Sequence, residues 1–246
     1  MSAVDEQLRR RYLSAMGIEL WELRHGQALG PQPQVPPGES VPHSAPAAEA
    51  PLPTGDAARL DWPALAERVA TCTACDLHRS RTQTVFGVGN PAARLMVVGE
   101  APGAEEDRQG APFVGRAGRL LDEMLAAIGL RREQVYIANI LKCRPPGNRD
   151  PEPAEVAQCA GFLARQVELV QPELILAVGR IAAQNLLQTP LKLAQLRGEV
   201  HRFGRQEVGV LVTYHPAYLL RTPSEKRKAW QDLRRVRTIL GQGDGK

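Results

Sequence analysis

From residue 94 onward the apolar positions alternate between two spacings. Four short runs are almost unbroken: 94–99, 135–141 (VYIANIL), 174–179 (LILAVG) and 209–214 (GVLVTY). Runs of this length without polar alternation predict strands buried on both faces. Between and after them, apolar residues recur every three or four positions, which predicts helices over 115–129, 152–170, 180–188 and 223–240. A further helix is predicted to begin at Asp61-Trp62-Pro63, where Asp61 can cap it, and to run to Ala70. Strand alternating with helix implies a parallel sheet covered on both sides. The predicted fold is α/β, three layers (α/β/α) around a mostly parallel, four-stranded sheet.

The first sixty residues follow another pattern. Residues 29–58 are rich in Pro, Ala, Gly and Ser and lack apolar periodicity, so 29–60 reads as a flexible linker. Before it, Leu8, Tyr12 and Met16 form an apolar stripe in an amphipathic arm, residues 1–28. The expected organisation is a tethered arm outside the core, a linker, and one folded domain over 61–246.

Composition narrows the class modestly. Apolar residues make up 43% of 246 positions, enough for a sizeable core, and the net charge is +4. No apolar run reaches the length of a membrane span and no apolar signal core is present, so the expectation is a cytoplasmic protein without a membrane partner. In that compartment the four cysteines, Cys72, Cys75, Cys143 and Cys159, read as metal ligands before disulfides. Four thiolates suit zinc or an iron–sulfur cluster, and spacing does not choose between them. Either would be structural, because four protein ligands leave no open position.

The chemistry gathers at the strand ends. The stretch RLMVVGEAPGAEEDRQGAPFVGRAG, residues 94–118, passes from strand through a Gly-rich acidic loop to a helix. It has neither a Walker Lys-Ser/Thr nor G-x-G-x-x-G, and Glu100, Glu105, Glu106 and Asp107 would repel a diphosphate. Carboxylates at a strand end suit placing a water or handling a proton. Glu100 follows the first strand, Asn139 ends the second and His215 follows the fourth, so three different functional groups arrive at one edge. Phe113 is either a stacking platform for a flat ligand or a core residue. Past His215, Leu219 and Leu220 are candidates to wedge into a base stack. Arg221, with the basic residues of 226–237, suggests a phosphate track, the alternative being an ordinary solvated face.

Taken together, these residues resemble the family-four uracil-DNA glycosylases of bacteria and archaea. The resemblance rests on Gly99-Glu-Ala-Pro-Gly103, Glu106-Asp-Arg-Gln-Gly-Ala-Pro-Phe-Val-Gly115, Ala138-Asn-Ile-Leu-Lys-Cys-Arg-Pro-Pro-Gly-Asn-Arg149 and His215-Pro-Ala-Tyr-Leu-Leu-Arg221. It covers roughly residues 65–240. It implies hydrolysis of the N-glycosidic bond of uracil in DNA, leaving an abasic site, by a monomer. It assigns water placement to Glu100, stacking on the extruded base to Phe113, reading of its polar edge to Asn139 and donation to the uracil oxygen to His215. Glu106 is implied to crowd the C5 side of the ring, and Ala101 stands where many members have Gly. The four cysteines match the family's structural four-iron, four-sulfur cluster, with zinc as the alternative. Two other readings stay open: a cluster-bearing DNA-binding protein of this fold without hydrolysis, and a glycosylase for another deaminated base.

The arm resembles the N-terminal tail of the DNA polymerase III psi subunit. The matching residues are Met16-Gly17-Ile18, Trp21 and Leu23-Arg24. This implies docking on the chi subunit of the clamp loader through residues 7–25, and work on nucleoid DNA.

Overall fold

The structure, a computed structural model, describes residues 10–14 and 55–241. Its sheet has six strands: β1 (Val88–Gly89), β2 (Leu95–Gly99), β3 (Tyr136–Asn139), β4 (Leu174–Val178), β5 (His201–Phe203) and β6 (Val208–Thr213). Their order is β1-β3-β2-β4-β6-β5. The four predicted strands form the parallel centre, β3-β2-β4-β6. The two-residue β1 and three-residue β5 add antiparallel edges. They escape a periodicity reading because runs this short carry no repeat, and their partners supply the pairing.

Helices cover both faces of the sheet. Helix α1 (Trp62–Ala70) starts where predicted, with Asp61 Oδ1 accepting from the Ala64 amide at 3.0 Å. The others are α2 (Ala104–Gln109), α3 (Arg116–Ala127), α4 (Pro153–Val170), α5 (Arg180–Leu186), α6 (Leu193–Leu196), α7 (Pro216–Arg221) and α8 (Lys226–Ile239). Alternate strand residues face opposite sides. Val97, Ile137, Leu176 and Leu211 pack with Leu121 and Leu125 of α3 and Leu233 and Val236 of α8. Met96, Ala138, Ala177 and Val212 pack with Leu163 and Val167 of α4 and Ala183 of α5. A third cluster joins Leu65 and Val69 of α1 to Phe162 of α4. Among the described residues, no helix is long and apolar enough to cross a membrane.

Residues 10–14 are helical. Leu13 is 1% exposed within the α3/α8 cluster, and Tyr12 packs against it. This departs from the expected arm outside the core: Leu13 and, from the expected stripe, Tyr12 pack on the domain itself. The positions Met16–Ile18, Trp21 and Leu23-Arg24, and the linker up to residue 54, lie outside the described residues.

Candidate active site

The register of the parallel strands aligns their carboxyl ends. Gly99 pairs with Asn139, and Val178 with Thr213. Asn139 therefore ends β3 beside Glu100 after β2, and His215 lies two residues beyond β6. A cleft of about 440 Å³ opens here, with Glu100, Ala101, Phe113, Asn139, His215 and Arg221 all in its walls. The three groups that the sequence places at one edge do share one site. It lies at the carboxyl end of β2, whose onward connection runs to β3 on one side while that of its neighbour β4 runs towards β5 and β6 on the other, the usual crevice of an open α/β sheet.

His215 is the N-cap of α7. Its Nδ1 accepts from the Ala217 amide at 3.1 Å, and Pro216 supplies the first helical turn. With Nδ1 used as an acceptor, the neutral ring carries its proton on Nε2 and can donate from there. Burial pushes the imidazole down to about 4, helped by Arg221 and opposed by Glu106. The ring is thus neutral across the physiological range.

Phe113 stands 5.6 Å from His215, ring centre to ring centre, tilted by 31°. It belongs both to the core cluster and to the cleft wall, so the two readings of this residue are compatible. Its φ is +54°, a left-handed conformation costing a non-glycine residue about 1 kcal/mol or more. Arg132 holds that turn. Its guanidinium donates to the Phe113 carbonyl at 3.1 Å, to the Pro112 carbonyl, and to Asp122 at 3.0 Å. Gly118 leaves room for the same turn, since a Cβ there would lie 1.7 Å from the Phe113 oxygen. Neither Arg132 nor Gly118 carries a sequence signal for this role.

Asn139 is 2% exposed, and its Oδ1 is buried without a hydrogen-bond partner in the protein. An orphaned buried acceptor costs about 1–3 kcal/mol, so one on a residue that lines a cleft is a candidate partner for a ligand's N–H. Gly99 makes this possible. A Cβ at Gly99 would meet Asn139 Oδ1 at 2.4 Å and Phe113 Cζ at 2.7 Å. Its place in the first motif is the only sequence signal for it.

Glu100 is half-buried, and burial pushes its carboxyl up to about 7. Asp150 adds to the rise and Arg180 opposes it; these two form an ion pair at 2.9 Å. A carboxylate that titrates near neutrality is suited to placing and deprotonating a water. Glu106 lines the cleft, but its oxygens serve the loop. They accept from the amides of Gly103 at 3.1 Å, Val114 at 3.0 Å and Gly115 at 3.2 Å.

Leu219 requires a correction. It is fully buried in the α3/α8 cluster and cannot enter a base stack. The α7 turn directs it inward to tie the His215 loop to α3. Leu220, 37% exposed, and Arg221 remain on the outside.

The cysteines gather away from the cleft, at the α1/α4 pole. All four line one small cavity with Arg81 and Lys142. Arg81 Nη1 donates to Cys143 Sγ at 3.0 Å, and the Lys142 amide to Cys159 Sγ at 3.3 Å. N–H donors of this kind suit thiolate ligands. Among the described residues, no three His, Cys, Asp or Glu side chains stand in an arrangement that could hold a metal ion. The four thiols line that one cavity, and a four-sulfur donor set suits zinc or an iron–sulfur cluster. Lys142 points its side chain inward, where Nζ donates to the Asn139 carbonyl at 2.9 Å and Gln166 Oε1 at 2.6 Å.

Comparison with known proteins agrees with this geometry. The model of the uracil DNA glycosylase superfamily matches residues 86–234. A type-4 uracil-DNA glycosylase of Archaeoglobus fulgidus is 46% identical over 185 residues, which is 72% of this chain and 92% of the relative. That of Thermotoga maritima is 44% identical over 180 residues, 72% and 93% of the two chains. A type-5 enzyme of Pyrobaculum aerophilum matches less, at 34% over 148 residues, 53% of this chain and 64% of its own. On these matches, the chain belongs to the uracil-DNA glycosylase superfamily, among its type-4 members.

Proposed function

We propose that this protein removes uracil from DNA by hydrolysis, and that the orphaned Asn139 Oδ1 reads the N3–H of the extruded base. In that pose Phe113 lies against the ring. The C1′–N1 bond breaks with its electron pair passing to N1, and charge spreads onto the uracil carbonyl oxygens. His215 Nε2–H donates to O2 as the charge builds, contributing about 3 kcal/mol by comparison with other oxyanion donors. Ionised Glu100 orients a water towards the sugar cation and takes its proton, which then passes through solvent to the uracil anion, so that the products are uracil and an abasic site and Glu100 is ionised again. Glu106 fixes the loop bearing Phe113, and Ala101 forms part of the pocket floor. Arg221 and Leu220 face the DNA backbone and the vacated stack. One chain supplies every group named, as a monomer would.

Cys72, Cys75, Cys143 and Cys159 would hold a four-iron, four-sulfur cluster. When bound it cross-links the segment before β1 to the end of β3 and to α4, a structural task. Iron, sulfide and zinc analysis of purified protein distinguishes it from zinc. The arm's resemblance to the psi tail supports docking on the clamp-loader chi subunit through residues 7–25, which places the enzyme at nucleoid DNA. A peptide of residues 1–28 that fails to bind chi removes that reading.

The test of the main reading is a single-turnover assay on oligonucleotides with one uracil, hypoxanthine, xanthine or thymine mismatch, followed by alkali. Breaks at uracil alone are expected. Breaks mainly at another base, or DNA binding without any break, would move the assignment to one of the other two readings.

A further inference from the structure

One exposed aromatic in the cleft wall has no part in the chemistry above. Tyr218 lies on α7, is 37% exposed and lines the cleft. Its ring stacks on Tyr214, with centres 5.4 Å apart and planes within 13°. Tyr214 in turn carries the Arg197 guanidinium 4.6 Å from its ring centre. Arg197 cannot drift, because Asp232 accepts from it at 2.8 and 2.9 Å and the Lys228 carbonyl at 2.8 Å. Asp232 is itself buried and bound to Thr213 at 2.8 Å. A chain of contacts rooted in β6 and α8 thus immobilises an aromatic ring that is still open to solvent.

Such rigidity is more than packing requires. Tyr214 and Leu219 already seal the core beneath, and an exposed tyrosine on a surface turn is ordinarily free to rotate. A fixed π-face beside a nucleobase pocket, next to Leu220 and Arg221, has the form of a single-strand stacking platform. Its ordering is settled before DNA arrives, so little side-chain entropy is lost on binding.

We propose that Tyr218 stacks on the nucleobase adjacent to the extruded uracil, forming a second base subsite at the cleft mouth. This inference rests on the uracil-DNA reading of the cleft. Tyr218 is a substrate-positioning residue: it holds the strand so that the extruded nucleotide enters squarely, and it touches no reacting bond.

The test uses the full chain and a cleavage-independent readout. Oligonucleotides carry 2′-fluoroarabino-uridine, which resists cleavage, with 5-iodocytosine as its 5′ or 3′ neighbour. On irradiation, one of the two is expected to cross-link at Tyr218. A cross-link at neither position, or only at other residues, overturns the proposal. In parallel, Y218A should raise KM for uracil-containing single strands about tenfold, within the range for loss of one base–aromatic stack, with kcat changed less than about twofold. Y218F should behave as the parent protein. An unchanged KM in a folded Y218A protein refutes the subsite while leaving uracil excision intact. A parent protein that cross-links at Tyr218 but does not cleave uracil refutes the excision reading alone.

Discussion

Two buried polar clusters in this protein look alike in composition and differ in one respect. At the α1/α4 pole, Lys142 is 1% exposed and every partner it needs is present: the Asn139 carbonyl, Gln166 Oε1 and, beyond it, the Tyr136 hydroxyl and Phe86 carbonyl on Gln166 Nε2. In the cleft, Asn139 Oδ1 is as deeply buried and has none. The first cluster is complete as it stands and serves the fold. The second keeps an unpartnered acceptor on a residue of the cleft wall. Burial of polar groups by itself therefore does not mark a site; an unfilled valence on a residue that lines a cleft is the stronger sign. The same residue belongs to both, since the Asn139 carbonyl is held by Lys142 while its side chain lines the cleft.

Variants on the two sides of this contrast should separate activity from stability. The largest effect is expected from His215→Ala. It removes the donor that meets developing charge, and kcat should fall about 10²- to 10³-fold, with DNA affinity mostly kept. Turnover of that variant equal to the parent's would refute the donor role. Gly99→Ala should come next. The new methyl displaces Asn139 Oδ1 or Phe113, and loss of a base-edge contact of about 1–3 kcal/mol implies roughly 10- to 100-fold in kcat/KM. A fully active, well-folded G99A protein would show that the amide is not poised as described.

Glu100 offers a pH test of the cleft. Because its carboxyl ionises near 7 and must be ionised to act, kcat should drop about tenfold per pH unit below 7, while neutral His215 adds no second limb above about pH 4. The stability consequence has the opposite sense. The folded-state value lies above the unfolded one, so the contribution is complete below about pH 4 and is lost as pH rises through 7. Glu100→Gln should therefore melt higher than the parent at pH 8 and alike at pH 4. A flat activity profile between pH 5.5 and 8 would remove Glu100 from water placement.

The smallest effect on activity is expected from Lys142→Met, on the filled side. Two buried acceptors lose their donor, so urea unfolding should shift by about 1–3 kcal/mol, with kcat of the folded protein within about threefold. A collapse of kcat at unchanged stability would transfer Lys142 to the site.

Much of this was legible in the residues. Four strands, the Asp61-capped helix and the meeting of Glu100, Asn139 and His215 follow from apolar runs and from chain order, because a parallel sheet brings all its strand ends to one edge. Leu219 departs from its expected wedge role for a helical reason. In a helical turn beginning at Pro216, adjacent leucines point in different directions, and one of them must face the core.

What the sequence determined by itself is the local part: which segments bury themselves, where the chain turns, and which functional groups stand at strand ends. Those depend on residue type and short-range spacing. What only the tertiary structure decided is the state of those groups. The tautomer of His215 follows from a backbone amide two residues away, held by the helix it caps. The shift at Glu100 comes first from burial, then from Asp150, which adds to it, and Arg180, which opposes it, fifty and eighty residues on. The poise of Asn139 and Phe113 needs the absence of one methyl on the neighbouring strand. Desolvation, hydrogen-bond completion and steric clearance are properties of a surrounding volume, and the chain acquires that volume only when it closes on itself.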